Sequence, residues 1–364
     1  MIEIIKSVKN NSIEALLAII RLGIGHSSFG IPEDVDWAAV KAHAQHHGLS
    51  AVVSDGIEKL PGDMRPDRDV LLSWIGEGLQ SYDQRYSQYR QAIAEMAKWH
   101  NTHGFKMMVL KGYACSLDWP KPEHRPCGDI DIWQFGKQEE ADEAMKRECG
   151  ITIDNSHHHH TVFYWQDFMV ENYYDFLNTH HHWSNADYEL ILKELGKDDS
   201  HWIEVNGEKV YVPSPNLHAL FLLKHLMGHF ASEQITLRQL LDWAFFVKAH
   251  GHDVDWPMVN QVLDRFGMRK MFNILNAICV EDLGFDYTLF PQVQFDPILK
   301  DRVLKEILAP EFSDHLPQGL FPRLCFKWRR WKGSAWKHEL CYKESMVSAF
   351  WSGVWSHLMK PGSI

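Results

Sequence analysis

The chain has little of three things. Its six cysteines, at positions 115, 127, 149, 279, 325 and 341, include no Cys-x-x-Cys pair. That excludes a zinc knuckle or a dithiol redox motif and fits the reduced thiols of a cytosolic protein. No stretch approaches the roughly 20 consecutive apolar residues that a membrane span needs. The N-terminal MIEIIKSVKNNSIEALLAIIRLG carries apolar residues at helical spacing, is interrupted by charges and has no small-residue cleavage site after it, so it reads as an amphipathic helix. Positive charge is also scarce: 37 Lys and Arg against 48 Asp and Glu leave a formal net charge of -11, the opposite of a general nucleic-acid coat. The expectation is a soluble, cytoplasmic protein with no membrane partner. With 364 residues and 45% of them hydrophobic, the chain is long enough for two or three domains and apolar enough to bury a substantial core.

What is present changes character twice. Residues 1–104 read as helical: Asp36 caps a run of helix formers, and a longer helical stretch from Val70 to Trp99, with breaks expected inside it, stops at His103-Gly104. Residues 105–212 then show short apolar runs and turns. Met107 to Leu110 reads as a buried strand, Lys111-Gly112 as a turn, Tyr113 to Trp119 as a short helix and Pro120 to Pro126 as a loop. An acidic strand follows, then a helix over Lys137–Cys149, a short strand at Ile151–Ile153, and strands at Thr161–Trp165 and Phe168–Phe176. Residues 213–364 return to helical spacing in Leu217–Phe230, Leu237–Ala249 and Trp256–Phe266, and end in a tail rich in basic residues and tryptophan. The fold class expected is α+β, with a small mixed sheet between helical N- and C-terminal regions.

The most telling segment is Arg125-Pro-Cys-Gly-Asp-Ile-Asp-Ile-Trp133. Alternate residues of a strand share a face, so Asp129 and Asp131 point the same way. Two acids on one partly buried face repel unless a cation lies between them. Mg²⁺ is the natural candidate, with Mn²⁺ as its alternative, since hard oxygen ligands suit it and it keeps positions open for phosphate oxygens. A third acid would complete a two-metal site. Glu171, in the strand-like Phe168–Phe176, is the first choice, and Asp175 and Asp167 compete with it. About 17 residues before Asp129, glycine at Gly112 lets the backbone approach a phosphate. Lys111 would add a point charge to a β- or γ-phosphate, and Arg125 would act likewise or pair with Asp129.

The order Leu-Lys-Gly, then Arg-x-x-Gly-Asp-Ile-Asp-Ile, then a helix and a strand bearing Glu171, resembles the nucleotidyltransferase superfamily. More narrowly, it is similar to the uncharacterised bacterial nucleotidyltransferases in which Lys-Gly replaces the usual Gly-Ser phosphate turn. The resemblance spans about residues 90 to 250, including Leu237-Arg-Gln-Leu-Leu-Asp-Trp243 as a helical extension. It implies a minimal mixed sheet flanked by helices and transfer of a nucleoside monophosphate from an NTP. Carried over by residue, it implies Gly112 at the phosphate turn, Asp129 and Asp131 as the metal pair and Glu171 as the third acid. Two departures stand out: Lys111 in place of the superfamily's serine, and Tyr173-Tyr174 where the narrower group has a histidine followed by an aromatic residue. The acceptor (small molecule, protein or RNA) is open.

Two rivals come from other classes: a catalytically silent relative that binds nucleotide or a partner, and a histidine-rich metal-binding protein. His157–160 and His180–182 are two runs among 23 histidines. Adjacent residues on an extended chain alternate faces, so at most two of the first four would ligate together, and the run reads as a loop with adventitious metal affinity. In the tail, Arg323, Lys327, Arg329, Arg330, Lys332 and Lys337 interleave with Trp328, Trp331 and Trp336. Such a mixture can stack on single-stranded nucleic acid, but at helical spacing the tryptophans are expected to pack on the body while the charges face water.

Overall fold

A computed structural model describes residues 2–27, 30–77, 79–180, 182–291, 294–312 and 318–359. Five helices come first: α1 (Ile2–Gly23), α2 (Trp37–His46), α3 (Ser50–Glu58), α4 (Arg68–Glu77) and α5 (Leu79–Thr102). Asp36 caps α2, its side chain accepting from the amides of Ala38 and Ala39. The middle of the chain runs β1 (Met108–Val109), α6 (Tyr113–Ser116), β2 (Ile130–Trp133), α7 (Gln138–Cys149), β3 (His160–Trp165), β4 (Phe168–Tyr173), α8 (Trp183–Leu195), β5 (Trp202–Val205) and β6 (Glu208–Tyr211). Helices then return: α9 (Pro215–Ser232), α10 (Leu237–His250), α11 (Trp256–Arg265), α12 (Arg269–Glu281), α13 (Pro297–Leu308), α14 (Leu320–Gly333), α15 (Ala335–Cys341) and α16 (Met346–Met359). The protein is therefore α+β, a six-stranded mixed sheet between helical ends. No helix among the described residues is long and apolar enough to cross a membrane.

The strands lie in the order β3-β4-β2-β1-β6-β5. The central pair β2 and β4 is parallel, which is possible because α7 and β3 form the crossover between them. β2 is flanked on its other side by β1, antiparallel to it, and β1 runs parallel to β6. Both faces of the sheet are covered, so its central strands are apolar on both sides. Met107, Val109, Ile130, Ile132 and Val170 pack beneath α5 with Tyr89, Ile93 and Met96. Met108, Leu110, Trp133 and Tyr173 face the opposite way, into the larger core built on α9 and α10 with Leu220, Phe221 and Trp243.

Two expectations differ from what is seen. Ile151–Ile153 is not a strand; only Asp154 makes an isolated bridge, to Val162. The hairpin β5–β6 replaces it as a sheet edge, turning at Asn206-Gly207, where both residues have positive φ. The tail is also mixed in character. Trp336 packs edge-on against Phe230 and beneath the Arg302 guanidinium, as expected, whereas Trp328 is 62% exposed and stacks on Trp331.

Candidate active site

The parallel register of β2 and β4 sets Asp131 directly opposite Glu171. Asp129 immediately precedes β2, and its backbone carbonyl is held by the hydroxyl of Tyr89, which donates from α5 at 2.7 Å. One carboxylate oxygen from each of Asp129, Asp131 and Glu171 lies within 4.8 Å of the others. The two competing acids stand elsewhere: Asp175 pairs with Lys193, and Asp167 is outside the group.

Lys111 sits at the centre of this cluster. Its Nζ is 2.7 Å from Asp131 Oδ1 and 4.0 Å from Glu171 Oε2, and it donates to the Tyr173 hydroxyl at 3.1 Å. The Tyr173 hydroxyl is within bonding distance of both acids, 2.8 Å from Glu171 Oε2 and 3.1 Å from Asp131 Oδ1. Lys111, expected at a triphosphate, contacts these carboxylates here. Burial pushes the carboxyls of Asp131 and Asp129 above the usual carboxylate range; the neighbouring acids add to this, and Lys111 opposes it. For Lys111 itself burial would lower the pKa, but Asp131 and then Glu171 outweigh it and raise the value. Three carboxylates meet here around a single ammonium, with Arg238 acting on Asp129 from further away, so the cluster keeps an acidic character that suits a divalent cation. The donors are all oxygen, as Mg²⁺ prefers.

Gly112 occupies a backbone conformation (φ 53°, ψ -99°) that side chains rarely adopt. A Cβ built there would lie 2.7 Å from the Tyr89 hydroxyl and 3.4 Å from the Asp129 carbonyl oxygen. The glycine therefore lets the turn after β1 press against the acidic strand. The helix that follows, α6, is a single four-residue turn, shorter than the expected Tyr113–Trp119.

Arg125, expected at a phosphate or at Asp129, is seen with a different acid. It makes a buried bidentate pair with Asp242 of α10, Nε to Oδ1 at 2.7 Å and an Nη to Oδ2 at 2.9 Å, and Trp119 Nε1 donates to the same Asp242 Oδ1. The remaining Nη reaches the Pro126 carbonyl. This fork-to-fork geometry commits the guanidinium to anchoring the loop before β2. Besides Lys111, the cation whose charge acts on Asp129 is Arg238, one helical turn earlier on α10. Burial lowers its pKa, then Arg125, while Asp242 and Asp129 act in the opposite sense.

Several residues around the acids lie outside the expected catalytic set. Tyr173 lies two residues after Glu171 and so on the same face of β4, a signal that was available. His160 opposes Tyr173 in the β3–β4 register and brings its Nε2 to 3.9 Å from Glu171 Oε1. The first histidine run thus ends at the site rather than in a remote loop. His225 of α9 faces Lys111, and burial, followed by the Lys111 charge, holds it well below the ordinary histidine value. Nothing in the local sequence marks Tyr89, whereas His225, with His229, Arg238 and Asp242, is readable from the helical extension as a residue that either reaches the cleft or makes buried structural hydrogen bonds.

The sequence model of a family described as uncharacterised nucleotidyltransferases matches residues 33–284, a wider span than the motifs alone suggested. No curated protein matches the chain. A crystal structure of an antigenic nucleotidyltransferase-like protein from Paracoccidioides brasiliensis matches at 12% identity and a TM-score of 0.33, covering 44% of this chain and 75% of that one.

Proposed function

The chain belongs to the uncharacterised nucleotidyltransferase family, and from that premise we propose that it transfers a nucleoside monophosphate from an NTP to an acceptor hydroxyl or amine, using Asp129, Asp131 and Glu171 with Mg²⁺, or Mn²⁺ in its place. The observation that carries the proposal is the convergence of these three carboxylates from the two central parallel strands to within 4.8 Å. In such sites a divalent cation, when bound, polarises the phosphoryl oxygens and favours the attacking and leaving groups of an in-line displacement. A second ion would arrive with the triphosphate, which brings its own negative charge.

The residues of this chain have distinct tasks in that reading. Asp129 and Asp131 hold the cation. Glu171 completes the ligand set or accepts the acceptor's proton, being more accessible than Asp131. Tyr173 orients Asp131 and Glu171 through its hydroxyl. Lys111 balances part of the acidic charge before substrate enters, and Gly112 keeps the turn close enough for backbone contact with phosphate. The new bond joins the acceptor atom to the α-phosphorus, the bond to the bridging oxygen breaks, and pyrophosphate leaves. In this reading Arg238, whose charge acts on Asp129, would meet the incoming phosphates in the part expected of Arg125.

Thermal stability with each NTP and Mg²⁺, read beside pyrophosphate release on a panel of acceptors, tests the proposal. Wild type is expected to be stabilised by at least one NTP·Mg²⁺, and Asp129→Asn with Asp131→Asn to lose that stabilisation. No shift of the wild type with any NTP would overturn it. A shift without turnover on any acceptor would favour the nucleotide-binding, catalytically silent alternative.

A further inference from the structure

We propose that His182, His338 and Glu344 form a second metal site, for Zn²⁺ or a similar borderline transition metal, which ties the start of α8 to α15 and the segment after it. One ligand atom from each of these residues lies within 4.8 Å of the others. His182 stands at the N-cap position of α8, His338 lies within α15, and Glu344 follows α15. None of them belongs to the carboxylate cluster around Lys111.

The independent observation is the state of His338. It is 5% exposed, and both of its ring nitrogens are buried without a hydrogen-bond partner. An imidazole always carries at least one N–H donor or one lone pair in need of a partner, and burying it unsatisfied is costly. Buried polar groups left this way call for an explanation, and an ion is one of the recognised ones. A cation between His338, His182 and Glu344 would satisfy it. Glu344 is itself buried, its Oε1 hydrogen-bonded to His182 Nδ1 and its Oε2 3.4 Å from the Ser184 amide. That amide contact orients the carboxylate from behind, as outer partners of metal ligands do. The Tyr342 ring stacks on both imidazoles, with centroids 3.9 Å from His182 and 5.0 Å from His338, so the rings are held in place before any ion arrives.

The donor set selects the ion. Two imidazoles and one carboxylate suit Zn²⁺, whereas Mg²⁺ keeps to oxygen ligands. The two sites of this protein therefore differ in chemistry as well as place. Lys224 is the nearby cation, its Nζ 4.2 Å from the Tyr342 ring centroid.

Zinc content and the visible spectrum of the cobalt-substituted full chain test the site. After stripping with a chelator and reloading with the metal alone, wild type is expected to retain one equivalent of Zn²⁺ more than His338→Gln or Glu344→Gln. With Co²⁺ it should show the intense visible bands of a four-coordinate centre, which both variants lack. Equal zinc in wild type and variants, or wild type with no retained zinc, would overturn the inference. If the two buried substitutions fail to fold, His182→Gln, at a partly exposed position, takes their place. Cobalt bands in wild type of only the weak, octahedral kind would count against the site whatever the variants do.

Discussion

Lys111→Met probes the balance of charge at the acids most directly. Lys111 Nζ and Asp131 Oδ1 are 2.7 Å apart with side-chain exposures of 14% and 2%. At an effective dielectric constant of about 20, a unit pair at that distance attracts by roughly 6 kcal/mol before desolvation is counted. Removing one partner of a buried pair leaves the other uncompensated, at a net cost of about 3–5 kcal/mol. Methionine keeps the length of the side chain, so little of that cost is packing. In a chelator, the melting temperature of the variant should fall by on the order of 5 °C or more. Mg²⁺ should then restore the missing positive charge. In wild type the ion competes with the ammonium for Asp131; in the variant it does not. If ~3 kcal/mol of that competition is relieved, apparent Mg²⁺ affinity rises by roughly 100-fold, and the variant gains more stability from Mg²⁺ than wild type does. Melting curves in chelator and across a Mg²⁺ titration measure both effects. A variant that melts with wild type in chelator, or that gains no more than wild type from Mg²⁺, would refute the reasoning.

Other expectations follow from the same geometry. Gly112→Ala places a Cβ 2.7 Å from the Tyr89 hydroxyl in a backbone conformation alanine rarely adopts; a loss of about 1–3 kcal/mol in chemical denaturation is expected, with weaker NTP·Mg²⁺ stabilisation. Asp242→Asn breaks the bidentate anchor of Arg125 and should cost about 3–5 kcal/mol, whereas Arg125→Met with Asp242→Leu should cost less than the sum of the single changes, a coupling readable in a double-mutant cycle. His100 is fully buried between the Met96 carbonyl and the Gln134 side chain, and burial lowers its pKa from 6.5 to about 4. The unfolded chain takes up that proton first, so its contribution to stability, up to ~3 kcal/mol, is intact above pH ~6.5 and is lost as pH falls toward 4. His100→Gln should therefore show a shallower loss of melting temperature over that window, and parallel curves would contradict the assignment.

The acidic cluster was legible because strand alternation is a strict rule: Asp129, Asp131, Glu171 and Tyr173 follow from counting by twos once β2 and β4 are neighbours. The role of Arg125 was not, since its partner Asp242 is 117 positions away and no local pattern encodes a contact across that distance. Lys111 illustrates a different limit. Its position in the turn was readable, but a long flexible side chain can point at a phosphate or at an acid, and only the packing of Tyr173 beneath it decides. The β5–β6 hairpin did leave a mark, Asn206-Gly207, a strong hairpin signal. Its strands are short and carry charged, half-exposed residues, so alternation around the turn was weak. Ile151–Ile153 shows the reverse: β-branched residues in a row, yet outside the sheet save for the bridge at Asp154, since propensity alone does not supply a neighbouring strand.

The Arg125–Asp242 pair bears on how this protein can be divided. The change from sheet to helix near residue 212 invites trimming at that point to obtain a small soluble core for nucleotide screening. Such a fragment would carry a guanidinium stripped of its carboxylate, together with the exposed underside of the sheet that Phe221 and Leu220 cover. A useful minimal fragment has to retain α9 and α10, and the seam between core and extension is better treated as an interior surface than as a place to cut.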